Sequence, residues 1–330
     1  MKSSKLFKLL VLAIGTGAMA LMVSCKGDDG ATGPAGKDGV DGTDGTPGVA
    51  GNAVCMECHN ITRNTEVTTE YLSSVHGIGA QVGYAGGRQS CAKCHSDQGF
   101  LETQYTGADT TASADGVPNA QPVQCQSCHD FHQSLDFENE PNYALRTVAP
   151  VDLLMFRAAD PTAAPVTIDL GSGGNLCANC HQPRRVGPDA MDDSTRVTSS
   201  HYGPHHGPQS TSIAGLGAYE VGTGYPTPGT GGKHVTDASC TTCHMHEQNH
   251  GFEPTLEGCN TAECHNGSMT TLSDNTRQMA FKTKMATLES KLTAAGLLDV
   301  DGHPAVGKYP TDQVGALYNY EWMLDDRSNG

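Results

Sequence analysis

The stretch Cys240-Thr241-Thr242-Cys243-His244 contains a pattern that occurs five times in this chain of 330 residues. Each copy has two cysteines separated by two residues, and a histidine directly follows the second cysteine. The gaps between the copies are irregular, which argues against simple tandem repeats and favours one domain that holds all of them. The other copies are Cys55/Cys58/His59, Cys91/Cys94/His95, Cys125/Cys128/His129 and Cys177/Cys180/His181.

The Cys-x-x-Cys-His pattern is the attachment signature of c-type haem. Two thiols on one turn of the chain can add across the two vinyl groups of a porphyrin, and the adjoining imidazole then binds the iron as the proximal ligand. Zinc knuckles also use Cys-x-x-Cys pairs, but they need partner pairs and no invariable trailing histidine. The sequence therefore predicts covalently bound haem c at these five positions.

A sixth cluster, Cys259-Asn260-Thr261-Ala262-Glu263-Cys264-His265, has four residues between its cysteines. Some multihaem cytochromes use this lengthened spacing, with a bulging loop that still lets both sulfurs reach the vinyl groups. A disulfide and half of a metal site are the alternatives, although the retained Cys-His pair favours haem. The cysteine count agrees with haem, because thirteen cysteines less Cys25 leave twelve, two for each of six haems.

Fifteen histidines less the six proximal ones leave nine candidates for the second axial position of six irons. Two imidazoles on one iron keep it low-spin and closed to substrates, which suits electron transfer and not catalysis. Six of the nine are predicted distal ligands, two are reserves and one belongs to a surface loop. The predicted distal ligands are His76, His132, His201, His206, His234 and His250, the reserves are His205 and His246, and the loop residue is His303.

The composition agrees with an interior that is filled by cofactors. Only 5% of the residues are aromatic and 37% are hydrophobic, with 40 glycines and one tryptophan, a thin supply of apolar side chains for a core of this size. Between the cysteine clusters the chain shows neither sustained strand alternation nor long helical periodicity. We therefore expect a mostly irregular and α-helical fold, with loops and short helices wrapped around six haems over residues 54–268.

Residues 269–330 have a different character. Side chains such as Met285 and Leu292 fall near helical spacing, and Gly296 is a plausible stop. A second short helix is predicted from Thr311 to Met323. These elements predict a helical C-terminal cap on the haem domain.

Residues 1–24 have the features of an export signal, because lysines precede an apolar stretch that is too short for a comfortable bilayer span. Leu21-Met22-Val23-Ser24-Cys25 resembles the lipobox of bacterial lipoproteins, in which the cysteine is lipidated, although Leu is usual at the position of Met22. The alternative is an ordinary cleaved signal with a stray thiol at Cys25. We expect an exported outer-membrane lipoprotein that faces the periplasm or the cell surface.

From Gly27 to Gly51 a glycine recurs at every third position, nine times without interruption. That period matches collagen, in which only glycine fits at the axis of three packed chains. A solvated, extended spacer and a trimerising stalk are both consistent with the segment. In either case we expect residues 25–53 to be a lipid-anchored, collagen-like linker that holds the haem domain away from the membrane.

The formal net charge is −16, and removal of Lys2, Lys5 and Lys8 with the signal would leave about −19. Such an acidic chain repels nucleic acid and anionic lipid headgroups, and it attracts cationic partners or metal cations. Nucleic acid is therefore excluded as a partner. The expected partners are other redox proteins, such as periplasmic or outer-membrane cytochromes, with a homotrimer through the Gly-x-y segment as a further option.

Residues 54–330 resemble a family of exported bacterial multihaem c-type cytochromes, with a distant likeness to proteins of the cytochrome c nitrite reductase type. Beyond the haem motifs, the resemblance depends on three stretches: His201–Gln209, Cys240–Met245, and Gly315–Glu321 leading to Asp325–Ser328. Related chains continue into a Gly-Val-His-Asn-like segment whose histidine can be a distal ligand. This sequence ends at Gly330, so either a surplus histidine serves instead or the chain is truncated. The family implies respiratory electron transport in the periplasm or at the outer surface.

Three functions are open at this stage. The leading hypothesis is an electron carrier without catalytic residues, which passes electrons to a terminal reductase or to an extracellular acceptor such as a mineral. Reduction of nitrite, hydroxylamine, sulfite or a similar small oxyanion would need an iron with an open face, and the Cys-x-x-Cys-Lys motif of the catalytic haem in nitrite reductases does not occur here. A subunit of a cytochrome filament or of a trimeric stalk is the third hypothesis.

Overall fold

Short helices separated by long connections make up most of the residues that the computed structural model describes, which are 53–134, 143–224, 234, 238–273 and 275–327. All of them belong to one unit of the chain, residues 51–330. The predicted signal lies outside the described residues. So do the lipidation site Cys25 and all but the last residue of the predicted linker.

The first three cysteine clusters lie on or beside six short helices. A helix N-cap directly follows the histidine in two of these clusters: Asn60 accepts a hydrogen bond from the Arg63 amide at 2.8 Å, and Ser96 accepts one from the Gly99 amide at 3.1 Å. Such caps satisfy amides that the first helical turn leaves without partners, so the next helix begins where the cluster ends. The helices are α1 Ala53–Cys58, α2 Ile61–Ser73, α3 Val75–Ile78, α4 Ala92–His95, α5 Asp97–Thr106 and α6 Cys125–Cys128, with a π-helical turn at Val82–Gly86.

The described residues in the middle of the chain form three short strands and several short helices, and a fourth strand from the C-terminal part completes two small antiparallel sheets. One sheet pairs β1 Val151–Asp152 with β2 Thr167–Ile168, and the other pairs β3 Ser194–Val197 with β4 Gly307–Pro310. The second sheet joins the middle of the chain to its C-terminal part. The helices are α7 Leu154–Ala159, α8 Ser172–Ala178, α9 Gln209–Ala214, α10 Cys240–His244 and α11 Leu256–Cys259, and a 3₁₀ turn spans His246–Gln248.

Both helices that the sequence predicts near the C-terminus are present, as α12 Thr276–Ala294 and α13 Thr311–Asp326. Gly296 follows the end of α12 with φ of +74°, a left-handed conformation that glycine adopts without a Cβ penalty. The second helix runs to Asp326 and so extends beyond Met323, the end that the sequence predicts. None of the described helices combines the length and the apolarity that a membrane span requires.

The C-terminal helix α13 supplies the centre of a conventional hydrophobic core. One group of its side chains, including Tyr318 and Trp322, packs against Leu153, Met155 and Ile168. Another group, including Val314 and Leu317, packs against Val197, Leu292 and Leu297. By contrast, helix α2 in the first part of the chain has no buried residue. The apolar core of the described residues therefore lies mainly after residue 150.

Val314→Ala should lower the free energy of unfolding by about 2 kcal/mol, because it removes two buried methyl groups and leaves a cavity between α13 and residues such as Val197 and Leu292. Val300 is the matched control, since its side chain is 100% exposed whereas that of Val314 is 0% exposed. Val300→Ala should stay within about 0.5 kcal/mol of the parent protein. Urea titrations of the two variants in parallel measure both values. Equal destabilisation of the two variants would show that Val314 does not contribute to the core.

Candidate haem-attachment sites

Each of the six cysteine clusters forms a tight turn, and we number the clusters as sites 1 to 6 in chain order. At sites 1 to 4 the histidine amide donates a hydrogen bond to the carbonyl of the first cysteine, at 2.8, 3.1, 2.8 and 3.0 Å. At site 5 the whole cluster forms helix α10. Each turn therefore brings two sulfurs and one imidazole together on a short segment, as attachment of one porphyrin requires.

Site 6 closes in the same way despite its two extra residues. The His265 amide donates to the Cys259 carbonyl at 3.1 Å, and the amides of Cys264 and Asn266 both donate to the Thr261 carbonyl. The extra residues are thus taken up within the loop, and His265 keeps the same backbone bond to the first cysteine as the histidines of sites 1 to 4. Both thiols of the site are free.

Four of the six cluster histidines, which the sequence predicts as proximal ligands, face a histidine from outside the clusters. All four outside histidines are among the six that the sequence predicts as distal ligands. The ring centroids are 6.0 Å apart for His59 and His132 at site 1, 6.3 Å for His129 and His250 at site 3, 6.0 Å for His181 and His76 at site 4, and 6.2 Å for His265 and His234 at site 6.

These separations fit one metal ion between two imidazoles. A metal–imidazole bond is about 2.0 Å long and the ring centroid lies about 1.1 Å further on, so two rings on opposite sides of one metal have centroids about 6.2 Å apart. Contacts between aromatic rings in general cover about 4.5–7 Å, so the pairing pattern is the more specific observation. Each of the four contacts joins one cluster histidine to one outside histidine, and no two cluster histidines are paired in the described part of the chain.

Backbone carbonyl groups lie within hydrogen-bond distance of Nδ1 in three histidines, two in clusters and one outside them. Because a carbonyl oxygen only accepts, Nδ1 carries the proton and Nε2 keeps the lone pair that can bind a metal. This is the arrangement usual for metal-binding histidines. The Nδ1 atoms lie 2.8 Å from the carbonyl oxygen of Tyr143 for His129, 2.9 Å from that of Phe252 for His244, and 2.8 Å from that of Gln248 for His250.

Helix α2 positions the loop that carries His250. The Arg63 guanidinium donates to the Gln248 carbonyl at 3.0 Å, and the His250 amide donates to the Glu70 carboxylate at 2.8 Å. Two side chains of one helix thus fix the loop on both sides of Asn249. This role accounts for an ordered helix that contributes no buried residue of its own.

Asp97 is a functional candidate that the sequence analysis missed. Its side chain is buried, and its carboxylate accepts hydrogen bonds from the Ser127 hydroxyl at 2.7 Å and from the Gln126 amide at 2.6 Å. Those two residues lie between the cysteines of site 3, whereas Asp97 follows His95 of site 2 by two positions. Asp97 therefore ties two attachment turns together, and no sequence signal separates it from the many other acidic residues.

At site 2, no imidazole is paired with His95 among the described residues. The neighbouring loop carries His205 and His206, whose rings lie 5.3 Å apart, and both interact electrostatically with His95. The Asp325 carboxylate holds Nδ1 of His206 at 2.7 Å and raises the pKa of that imidazole. His205, a reserve in the sequence analysis, has φ of +67°. Residues other than glycine adopt this conformation rarely, and where they do it is often at a functional site. Either histidine is a candidate ligand for site 2.

Site 5 also lacks a paired ring in the described part of the chain. The predicted ligand His201 is exposed and contacts the Ser200 hydroxyl at 3.2 Å, so the structure does not bring it to a proximal histidine. The reserve His246 packs against Gly258 of α11. His303 lies in an exposed turn near Asp299, as expected of a surface residue.

Apolar side chains with large exposed areas adjoin several of these ligands. Ile61 is 81% exposed, Val75 74% and Phe131 82%. Val75 precedes His76, and Phe131 lies between His129 and His132. Scattered exposed apolar residues are ordinary in proteins, but these adjoin the paired imidazoles, where a porphyrin face would offer them an apolar surface. The residues present therefore fit haem.

No protein-family model matches the chain, and no curated protein or solved structure matches it either. What the six sites bind must therefore be inferred from their own residues and contacts. The resemblance to exported multihaem cytochromes stays a prediction.

Proposed function

We propose that this chain binds six haems covalently and transfers electrons between redox partners outside the cytoplasm. The observation that carries the proposal is the pairing of four proximal histidines with four outside histidines at the separation that one metal ion requires. The common backbone bond between histidine and first cysteine, which the lengthened site 6 also makes, supports attachment of the same group throughout.

Bound haem supplies one-electron redox chemistry. The cysteines would hold each porphyrin through thioether bonds, and two imidazoles would fill both axial positions at sites 1, 3, 4 and 6. Carbonyl oxygens fix the imidazole tautomer, and apolar residues such as Phe131 would keep water from the porphyrin face. A filled coordination sphere leaves no position for a substrate, which favours an electron carrier over an enzyme at these four sites.

The acidic composition and the predicted export signal support a role outside the cytoplasm with cationic redox partners. The lipobox-like stretch around Cys25 and the Gly-x-y segment support an anchored domain that stands off from the outer membrane. An extracellular acceptor is consistent with that arrangement.

The full chain, produced in a host that attaches haem c, should gain the mass of six haems and show the α-band of c-type haem on reduction. The double variant Cys259→Ser/Cys264→Ser should gain five, because site 6 then lacks both thioether bonds. Cys55→Ser/Cys58→Ser is the matched control at a regular site and should also gain five. Intact-mass spectrometry decides between the outcomes. A parent chain without added mass refutes the proposal, and a parent chain and site 6 variant that both gain five haems exclude attachment at site 6 alone.

A second candidate function is reduction of nitrite, hydroxylamine, sulfite or a similar small oxyanion at one site. One observation favours it: among the described residues, neither His95 nor His244 is paired with a second imidazole. An iron with only its proximal ligand would have an open face for a substrate. Electron paramagnetic resonance of the oxidised protein separates the two functions, since a pure carrier gives only low-spin signals and a reductase adds a high-spin signal.

A further inference from the structure

The attachment turns of sites 4 and 2 pack directly on each other. The side chains of Cys180 and Cys94 are in contact. The Cys94 sulfur lies 3.9 Å from the Asn179 carbonyl oxygen, and the Cys180 sulfur lies 3.8 Å from the Lys93 carbonyl oxygen. Each thiol thus lies near the carbonyl of the residue that precedes the other cysteine. Porphyrins attached to these two sulfurs would therefore be neighbours.

The other sulfur of site 4 meets site 5. Cys177 contacts Cys240, the first cysteine of site 5. Helix α8 carries Cys177 and packs on helix α10 at a glycine: a Cβ at Gly173 would lie 2.7 Å from the Thr241 side chain. The missing side chain permits the close approach that brings the two sulfurs together.

On its distal side, site 4 meets site 3 through Phe252. The Phe252 ring lies 4.8 Å from the ring of His76, the distal candidate of site 4, and 6.0 Å from that of His250, the distal candidate of site 3. Phe252 has φ of +61°, which is strained for an aromatic residue and persists only where surrounding contacts fix it. Its carbonyl also accepts the bond from His244 of site 5.

Sites 1 and 6 lie at the two ends of this arrangement. His132 of site 1 and His129 of site 3 belong to one short loop, so site 1 adjoins site 3. Site 6 adjoins site 5, because helix α11 packs on α10 where Gly258 approaches the Thr242 carbonyl. The described contacts therefore give each end site one neighbour. Sites 3 and 4 each have three, since Asp97 also ties site 3 to site 2. Site 4 differs in meeting its three neighbours through its own two sulfurs and its distal candidate.

Building on the proposed function, we infer that the haem of site 4 is the central redox group, through which the haems of sites 2, 3 and 5 exchange electrons. The basis is the contact of Cys180 with Cys94, of Cys177 with Cys240, and of His76 with Phe252 beside His250. Electron exchange falls steeply with the distance between redox groups, so a site whose sulfurs and distal ligand contact three neighbours offers the shortest route between them. Phe252 is a positioning residue, because its ring contacts the distal candidates of sites 4 and 3 and fixes the distance between them.

The test replaces the distal ligand of site 4 by methionine in the full haem-bearing chain. Methionine ligation raises the reduction potential of a haem, so the first electron added to His76→Met goes to site 4 and makes that iron diamagnetic. Magnetic coupling to its neighbours is then lost, and the paramagnetic resonance signals of three other haems should change. His132→Met at site 1 is the matched control, and one-electron reduction there should change the signal of one other haem.

Equal numbers of changed signals in the two variants overturn the central position of site 4. That result would leave the proposed function standing, whereas a parent chain with fewer than six haems would remove the proposed function itself. If His76→Met loses a haem, a structure of the haem-bearing parent chain provides the second test. Three haem edges in contact with that of site 4 support the inference, and fewer than three contradict it.

Discussion

Without attached haem, the chain will fail to form a cooperative tertiary structure, and protease will cut residues 53–134 first. The buried hydrophobic residues of that segment are few and mostly small, namely Ala85, Ala92, Phe100 and Val117. Burial of a large apolar side chain contributes about 1.5–3 kcal/mol, whereas ordering of the backbone costs about 1–2 kcal/mol for every residue. So small a core cannot offset that entropy, and the proposed haems would provide the rest of the apolar surface.

Limited proteolysis and urea unfolding of the haem-free chain, beside the haem-bearing chain, measure this effect. The part of the unit after residue 150 is the internal control, because its two apolar clusters around α13 consist of protein side chains. Fragments that retain residues 275–327 should therefore survive longer than those from residues 53–134. A haem-free chain with the urea midpoint of the haem-bearing chain would contradict the dependence on haem.

His250→Ala should convert one haem from low-spin to high-spin and open one position for an external ligand. The imidazole of His250 lies opposite that of His129, and Arg63 and Glu70 of α2 bind the backbone of its loop in addition to the bond from the imidazole to the Gln248 carbonyl. The backbone should therefore keep its place while the iron loses its sixth ligand. Cyanide or carbon monoxide titration should show one more bound equivalent per chain than in the parent.

His303→Ala is the matched control for this ligand prediction. His303 is exposed and lies beside Asp299, outside the paired histidines. Its replacement should leave the spin state and the number of bound equivalents unchanged. If His250→Ala behaves like His303→Ala, the pair of His129 and His250 does not bind one iron.

The six cysteine clusters and the two C-terminal helices could be located from the sequence because their signals are local. A Cys-x-x-Cys-His turn is defined by its own five residues, and the two C-terminal helices follow from apolar spacing and from Gly296. The pairing could not be predicted, because His132 reaches site 1 and His76 reaches site 4 across long stretches of chain. Sequence distance carries no information about which imidazole faces which.

Two further features were beyond sequence reasoning for different physical reasons. Asp97 acts through hydrogen bonds to another attachment turn, and its position in the sequence does not reveal that contact. The low aromatic content of the whole chain conceals a local concentration in α13, where Tyr318 and Trp322 support an ordinary core. An average over 330 residues cannot show where the few large side chains meet.

Three of the histidine pairs overlap along the chain: the segment from His59 to His132 contains His76 and His129, whose own partners are His181 and His250. An iron in each pair would act as a cross-link between distant positions. The three chain segments closed by these cross-links would overlap one another in sequence. One link across about 100 residues removes about 4–5 kcal/mol of entropy from the unfolded chain in the loop-closure account. Rupture of one link would leave its segment tethered by the others, so the protein should come apart slowly and only after several links have opened.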